Sequence, residues 1–499
     1  MIERRHRNLA LLVAACFFME ILDGIIVVTA APEIGRSLDV PATAISLVVT
    51  AYLVTLAVLI PLSGWVGARF GARPVFLAAI VIFTAASAAC AASTSLPELV
   101  AFRVLQGVGG AMMVPVGRLV VLAKTPKQEL MRMIAFLVWP ALIAPVFAPL
   151  AGGVITTYAS WHWIFLINVP LGALAFLAAL RLITSPPSPP PPRLDRLGVV
   201  LVCGGLAALT YVADRLAQPH PSWLLVAILG AAAVLLLAAA VRHLWLTEYP
   251  LVNLRTLRIA TFGASIGGSA LFWLAVGAVP FLLPLLFQEV FGWSAVKSGA
   301  LLLVLFVGNI GIKPTTTYLY GRFGFRAVLF ASTAGLAVTL VACAFLTAAT
   351  PLVVIGFVAL LSGIARSVGS TGYASLAFSD VPDEHMRDAN TLQATNQQLA
   401  FGLGVALGAL CLRAGGPIGD LLPGSAGEET AYSVAFVLLA LFSLVAAAGA
   451  LRLPPGAGDQ VRVRRGSSGS ARSRPRGRRR ATGPRRGRRA PGSGRGARP

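Results

Sequence analysis

Charge is scarce in this sequence: only 12% of its 499 residues are Asp, Glu, Lys or Arg, about half of what a soluble domain of this size carries. Histidine is scarcer still. The five residues, His6, His162, His220, His243 and His385, fall in or near predicted loops and form no HExxH or other metal-ligand spacing. The five cysteines (Cys16, Cys90, Cys203, Cys343 and Cys411) are scattered through apolar segments with no CxxC pair, so they read as small hydrophobes and argue against a disulfide framework or a metal site. A GxxxxGK[ST] phosphate loop is absent, so the chain itself is not expected to hydrolyse ATP. No GxSxG or comparable nucleophile motif occurs either. The sequence therefore predicts no enzyme, no cofactor and no metal.

What is abundant is apolar length. Hydrophobic residues make up 57% of the chain and mean hydropathy is +0.80. Stretches such as Leu9–Ala30, Val75–Ala92, Leu224–Val241 and Ala435–Leu451 run on almost without charge for the ~20 residues a helix needs to cross about 30 Å of hydrocarbon. Spans are predicted near 9–31, 43–66, 74–93, 98–122, 132–156, 162–183, 198–215, 222–245, 260–287, 298–319, 327–348, 352–377, 392–414 and 431–452, about fourteen in all. The basic start Glu3-Arg4-Arg5-His6-Arg7 imitates a signal peptide, but the run behind it is too long and carries Glu20 and Asp23, so cleavage is not expected.

Basic residues set the expected orientation. Arg69/Arg73, Lys124/Lys127/Arg132, Arg181/Arg193/Arg196, Arg242/Arg255/Arg258 and Arg322/Arg326 fall in alternate loops, while the opposite loops hold only isolated cations such as Arg36, Arg215, Lys297 and Arg413. The positive-inside bias places both termini in the cytoplasm of a multi-pass inner or plasma membrane protein. The net charge of +22 is largely a matter of the tail, where fifteen arginines lie between Arg462 and Pro499 among Gly, Ser, Pro and Ala. Such a composition buries little and is expected to be disordered, in contact with lipid headgroups or dispensable, without specific nucleic-acid binding.

The domain organisation expected is a cytoplasmic N-terminus (1–8), a six-helix half (9–183), a Pro-rich linker (184–197), two inserted helices (198–245), a second six-helix half (259–452) and the tail (453–499). The linker carries Ser185-Pro-Pro-Ser-Pro-Pro-Pro-Pro192, a semi-rigid extended spacer. The halves share a signature. Arg69-Phe70-Gly71-Ala72-Arg73 before Val75-Phe76-Leu77 is echoed by Arg322-Phe323-Gly324-Phe325-Arg326 before Val328-Leu329-Phe330, each after the second span of its half. Repeated halves with a site at their interface are a transporter architecture.

Five motifs in order make the chain resemble the major facilitator superfamily, and within it the fourteen-span drug:proton antiporters of the EmrB/QacA type. Leu22-Asp23-Gly-Ile-Ile-Val-Val-Thr-Ala-Ala-Pro32 is similar to that family's first-span motif, and Gly64-Trp-Val-Gly-Ala-Arg69-Phe-Gly71-Ala-Arg73 to its turn between spans two and three. Phe102-Arg103-Val-Leu-Gln106-Gly107-Val-Gly109-Gly110 resembles the fourth-span motif, Ala148-Pro149-Leu-Ala-Gly152-Gly153 the fifth-span antiporter motif, and Trp161-His-Trp163 to Asn168-Val-Pro170 the start of span six. The resemblance covers residues 9–452 and implies alternating access, proton coupling and export of drugs or antibiotics. It also implies gating roles for Gly64, Arg69, Gly71, Arg73, Gln106, Gly107, Pro149, Gly152 and Gly153. Two positions depart from it: Ala68 stands where the family has an acid held to lock the outward-facing state, and Ala148 where it has the first glycine of span five.

Charges inside the hydrocarbon are the candidate site residues, since each costs roughly 2.5–3.5 kcal/mol at a helix centre and needs a partner or a cavity. Glu20 and Asp23 lie three residues apart on one face of span 1, where a carboxyl can bind and release a proton in competition with substrate. Arg103 sits inside span 4, with Asp23 as its candidate partner, and Arg366 inside span 12 is its counterpart by span order. Lys313 lies nearer the cytoplasmic end of span 10 and is expected to snorkel. Gln393 and Gln397, near Asn396 and Gln398 in span 13, offer a polar face for substrate contact or for holding helices together. The expected partners are a small-molecule substrate, protons and lipid, for a monomer. Export of an endogenous metabolite is the alternative within transport, and a transport-dead scaffold the alternative outside it.

Overall fold

The computed structural model describes residues 4–123, 125–183, 193–217, 222–419, 428–454 and 456–458, which among themselves form helices and no strand. The Pro-rich stretch 185–192 and the tail beyond 458 lie outside the described residues. With no water in hydrocarbon to satisfy N–H and C=O groups, apolar runs of this length must close their hydrogen bonds within the helix.

The first half contains α1 (Arg4–Ser37), α2 (Ser46–Phe70), α3 (Ala72–Ala91), α4 (Leu96–Leu122), α5 (Leu130–Tyr158), the short α6 (Trp163–Leu166) and α7 (Asn168–Leu182). An inserted pair follows, α8 (Arg196–Ala217) and α9 (Trp223–Leu246). The second half contains α10 (Ala260–Leu285), α11 (Ala295–Gly311), α12 (Lys313–Ala344), α13 (Leu352–Ala377), α14 (Met386–Gly419) and α15 (Glu428–Leu451). Twelve helices among the described residues are long and apolar enough to cross a membrane. With α5 and the shorter apolar α11 in addition, the architecture is compatible with fourteen crossings. The expected separation of spans 298–319 and 327–348 falls at Gly324, whose non-helical φ and ψ interrupt α12; α11 stops at Gly311 and Pro314 occupies the first turn of α12, which adds a break within the first of those spans. Proline at a first turn loses no helical hydrogen bond, so the break at 312 costs little.

The halves repeat one packing plan. In the first, α1 packs on α5, α2 on α4, α3 on α4 and α3 on α7; in the second, α10 packs on α14, α11 on α13, α12 on α13 and α12 on α15. The repeated turns share a backbone as well as a sequence. Gly71 has φ 87° and ψ 143°, and Gly324 has φ 80° and ψ 165°, a region that only glycine enters without steric cost. These turns lie on the face of the bundle where α1 begins, here called the basal face.

The inserted pair lies along one seam between the halves. α8 packs on both α2 and α14, and Val202, Leu206, Ala240 and Leu244 join Val58, Leu62 and Trp65 of α2 and Leu392 and Leu399 of α14 in one apolar cluster. Asp195 ties its basal end together. Its carboxylate accepts from the Gly198 and Leu251 amides at 2.8 and 3.2 Å and meets His243 Nε2 at 2.7 Å. The start of α8, the end of α9 and the connection toward α10 are thereby joined. At the opposite end, Thr50 Oγ1 of α2 donates to Asp214 of α8 at 2.8 Å, tying the inserted pair to the first half.

Candidate transport site

Asp23 is the centre of a closed polar network in the first half. Arg103 of α4 donates to Asp23 Oδ2 at 2.5 Å, while Gln106 Nε2 and Asn168 Nδ2 donate to Oδ1 at 2.9 and 2.7 Å. The spacing in α4 explains the convergence, since residues three apart share a helix face and Arg103 Nη1 also donates to Gln106 Oε1 at 2.7 Å. Ser87 of α3 accepts from Gln106 at 2.6 Å, and Val48 of α2 offers its carbonyl to Arg103 Nε at 3.3 Å. The guanidinium lies 4.1 Å from the ring centroid of Tyr52, within cation–π range. Asp23 is 1% exposed and Arg103 fully buried. Every element of the half except α5 therefore contributes to one network around a buried ion pair. Breaking such a pair from one side costs about 3–5 kcal/mol, because a charge is left uncompensated.

Glu20, one turn earlier on the same face, is held quite differently. Its side chain is 9% exposed, and Oε2 is buried without a hydrogen-bond partner. The Tyr52 hydroxyl donates to the Glu20 main-chain carbonyl at 3.3 Å and leaves the carboxyl alone. No ion pair among the described residues involves Glu20. Gly110 of α4 lies beneath the carboxyl, where a Cβ would come 3.7 Å from Glu20 Cδ. Two carboxyls three residues apart thus have opposite circumstances: one is saturated by three donors, and the other is buried without a cation.

The second half buries two cations, Arg366 and Lys313, that form no ion pair among the described residues. Arg366 of α13 is 7% exposed and donates through Nη2 to the Val276 carbonyl of α10 at 3.3 Å, while Nε and Nη1 have no partner. It is the fifteenth residue of α13, whereas Arg103 is the eighth of α4, so the two arginines lie at different depths of matching helices. Lys313 does not snorkel to the interface: it is 6% exposed, and its Nζ donates to Thr371 Oγ1 of α13 at 2.6 Å. Gln393 is buried with Oε1 unpartnered, and Gln397 one turn later is half-buried. Asn396 instead binds α10, donating to Ser269 at 2.9 Å and to the Ile266 carbonyl at 3.3 Å.

Residues 13–405 match the family described as the Major Facilitator Superfamily. The chain belongs to that superfamily. It is 37% identical over 408 residues to a multidrug resistance protein, MdtD, of Klebsiella pneumoniae, covering 80% of this chain and 85% of the relative. It is 38% identical over 410 residues to the protein of that name in Cronobacter sakazakii, covering 81% and 86%. Two solved structures share the fold at low identity. The human organic anion transporter MFSD10 matches with a TM-score of 0.60 at 14% identity, covering 88% of this chain and all of that one. The proton:xylose symporter XylE bound to 6-bromo-6-deoxy-D-glucose matches with a TM-score of 0.61 at 12% identity, covering 90% and 96%.

The motif residues of this superfamily member divide between helix contacts and the basal face. Gly107 admits Thr55 and the Tyr52 carbonyl of α2, and Gly152 admits Thr29 of α1, so both let helices approach closely; Gly153 faces open space. Pro149 lies within α5, its side chain outside those described. Arg73 donates to the Leu180 carbonyl at the end of α7 at 3.0 Å, and Arg69 lies 5.9 Å from the Phe70 ring. At Gly64 a Cβ would strike Thr391 of α14, so the halves touch there. Around that contact the basal face is bridged three more times. Asn390 Nδ2 donates to the Pro115 carbonyl at 2.9 Å, Lys127 Nζ donates to the Val381 carbonyl at 3.2 Å, and Arg118 lies 5.2 Å from the Phe378 ring. The loops after α4 and α13, equivalent by the repeat, thus meet across the basal face without an acid at position 68.

Sequence reasoning passes over Asn168, Ser87 and Tyr52 as site residues. Asn168 alone carried a usable signal, a carboxamide within a strongly apolar stretch. Serine and tyrosine are ordinary in membrane helices, so nothing in the sequence separates Ser87 and Tyr52 from routine packing.

Proposed function

We propose that this chain is a proton-coupled secondary transporter that exports small molecules, with Glu20 as the residue that exchanges its proton against substrate. The observation that carries the reading is the contrast within α1. Asp23 has three donors and a buried counter-ion, so its charge is already balanced. Glu20 has a buried oxygen with no partner, and a carboxylic acid without a facing cation is buried more cheaply with its proton than without it. Loading substrate beside Glu20, or opening the site to water, changes that balance and releases the proton. The Asp23–Arg103–Gln106–Asn168 network then positions α1 against α3, α4 and α7.

The basal face, rich in arginine and lysine, is the cytoplasmic one by the positive-inside bias, which makes the described state closed toward the cytoplasm. Export requires alternation of that closure with its opposite, driven by the proton gradient and the membrane potential, the latter worth about 2.3 kcal/mol per charge per 100 mV. The multidrug resistance name borne by relatives 36–38% identical supports efflux of drugs or antibiotics over uptake.

Proteoliposomes with an imposed pH difference test this reading. The wild type is expected to move at least one dye from a panel of cationic, zwitterionic and anionic compounds in response to the gradient, and Glu20→Gln to lose that response while remaining folded. Gradient-driven movement of the same dye by Glu20→Gln at the wild-type rate would exclude Glu20 as the exchanging group.

A further inference from the structure

Buried charge is distributed unequally between the two halves. In the first half the fully buried Arg103 faces Asp23, and Glu20 adds a second carboxyl, while the half-buried Arg118 lies against the Phe378 ring at the basal face. Between Ala260 and Ala377, α10 to α13 and their connections contain a single acidic residue, Glu289. That carboxylate is engaged elsewhere, accepting from Tyr432 at 2.8 Å just beyond the C-terminal end of α10. The same segment buries Lys313 and Arg366 more than nine-tenths each. Lys313 has one hydroxyl partner and Arg366 one carbonyl partner, and no ion pair among the described residues includes either. One cation, Arg366, belongs to α13, and the other reaches that helix from α12. Lys313 meets α13 at Thr371, five residues or about 7.5 Å along the axis from Arg366.

Neutral partners do not offset charge. An arginine cannot be relieved by losing its proton, and a guanidinium with two unpartnered nitrogens in a membrane helix is a strong hydrogen-bond donor toward an anion. No acid among the described residues pairs with it there, but a transported molecule can supply one. We propose that the substrate carries an anionic group, a carboxylate or a group of like charge, which the second half receives at Arg366 with Lys313 as the second positive charge. This deepens the transport reading above and rests on it. Substrate and proton then have separate seats, the anion on α13 and the proton on α1.

The test uses full-length protein in lipid nanodiscs and two xanthene dyes of similar shape and opposite charge, fluorescein and rhodamine 123, with binding read by fluorescence anisotropy. The wild type is expected to bind fluorescein more tightly than rhodamine 123. Arg366→Gln and Lys313→Gln should each weaken fluorescein at least tenfold and leave rhodamine 123 unchanged or tighter, while Lys313→Arg keeps the fluorescein affinity. Wild-type preference for rhodamine 123, binding of neither dye, or an equal loss of both dyes in the glutamine variants overturns the proposal. The wild-type preference decides the matter alone if the variants fail to fold. Glu20→Gln separates this inference from the transport reading: it should abolish gradient-driven movement yet retain fluorescein binding, so each idea fails in a different readout.

Discussion

At the scale of single residues, Asp23 and Glu20 differ in what surrounds them rather than in chemistry. Three donors converge on Asp23, so Asp23→Asn leaves Arg103 buried without its counter-charge, at a cost of about 3–5 kcal/mol. Removing the charge of Glu20 strands no cation. The expected outcome is a lower apparent Tm for Asp23→Asn and for Arg103→Gln, and an apparent Tm within a degree or two of wild type for Glu20→Gln, measured by thermal unfolding in detergent. Equal losses in all three would mean that Glu20 is as structurally engaged as Asp23. The pairing of Asp23 with Arg103 was legible in the sequence, because opposite charges inside apolar runs need partners. The isolation of Glu20 was not, since spacing on one helix says nothing of which neighbour faces each carboxyl. Nor was the burial of Lys313, whose long stem reads equally well as reaching for the interface.

At the scale of helices and turns, the two glycine corners are the strictest local requirement. Gly71 and Gly324 hold positive φ, where a Cβ costs about 1–2 kcal/mol. Gly71→Ala and Gly324→Ala should therefore lower stability by similar amounts, read as matched drops in apparent Tm. A drop at one site alone would break the equivalence of the turns. This repeat was visible in the sequence as Arg-Phe-Gly-x-Arg twice over, since a turn that needs positive φ fixes its residue type. Bridging of the basal face was hidden, because Asn390, Lys127 and Arg118 contact a carbonyl, another carbonyl and a ring, none of which leaves a sequence motif. These contacts join the two halves at the basal face, where position 68 is alanine. The double variant Lys127→Ala/Asn390→Ala should populate the open basal face, seen as longer distances between spin labels at Thr125 and Asp383. Unchanged distances would show that the bridges are incidental to closure.

At the scale of the whole molecule, two halves of matching plan bury groups of different character, carboxyls on α1 and cations on α13 and the start of α12. The inserted α8 and α9 cover the seam between α2 and α14, with Asp195 joining their basal ends. Asp195→Ala should loosen that cover without touching the site, raising the hydrogen exchange of α8 and α9 amides while substrate affinity stays at its wild-type value. The membrane class follows directly from apolar length, because hydrocarbon thickness sets it. How the halves face each other does not, since lipid and protein present much the same apolar surface to a helix and hydropathy cannot tell them apart.

The central claim, that Glu20 exchanges a proton against substrate while Asp23 keeps its charge, is tested most directly by proton release from purified protein in weakly buffered detergent. Substrate is added to wild type, Glu20→Gln and Asp23→Asn, and the pH of the solution is followed. The expected result is release of protons by the wild type and none by Glu20→Gln, with release retained by whatever fraction of Asp23→Asn remains folded. Release that persists in Glu20→Gln and disappears in folded Asp23→Asn would contradict it and move the exchanging proton to Asp23.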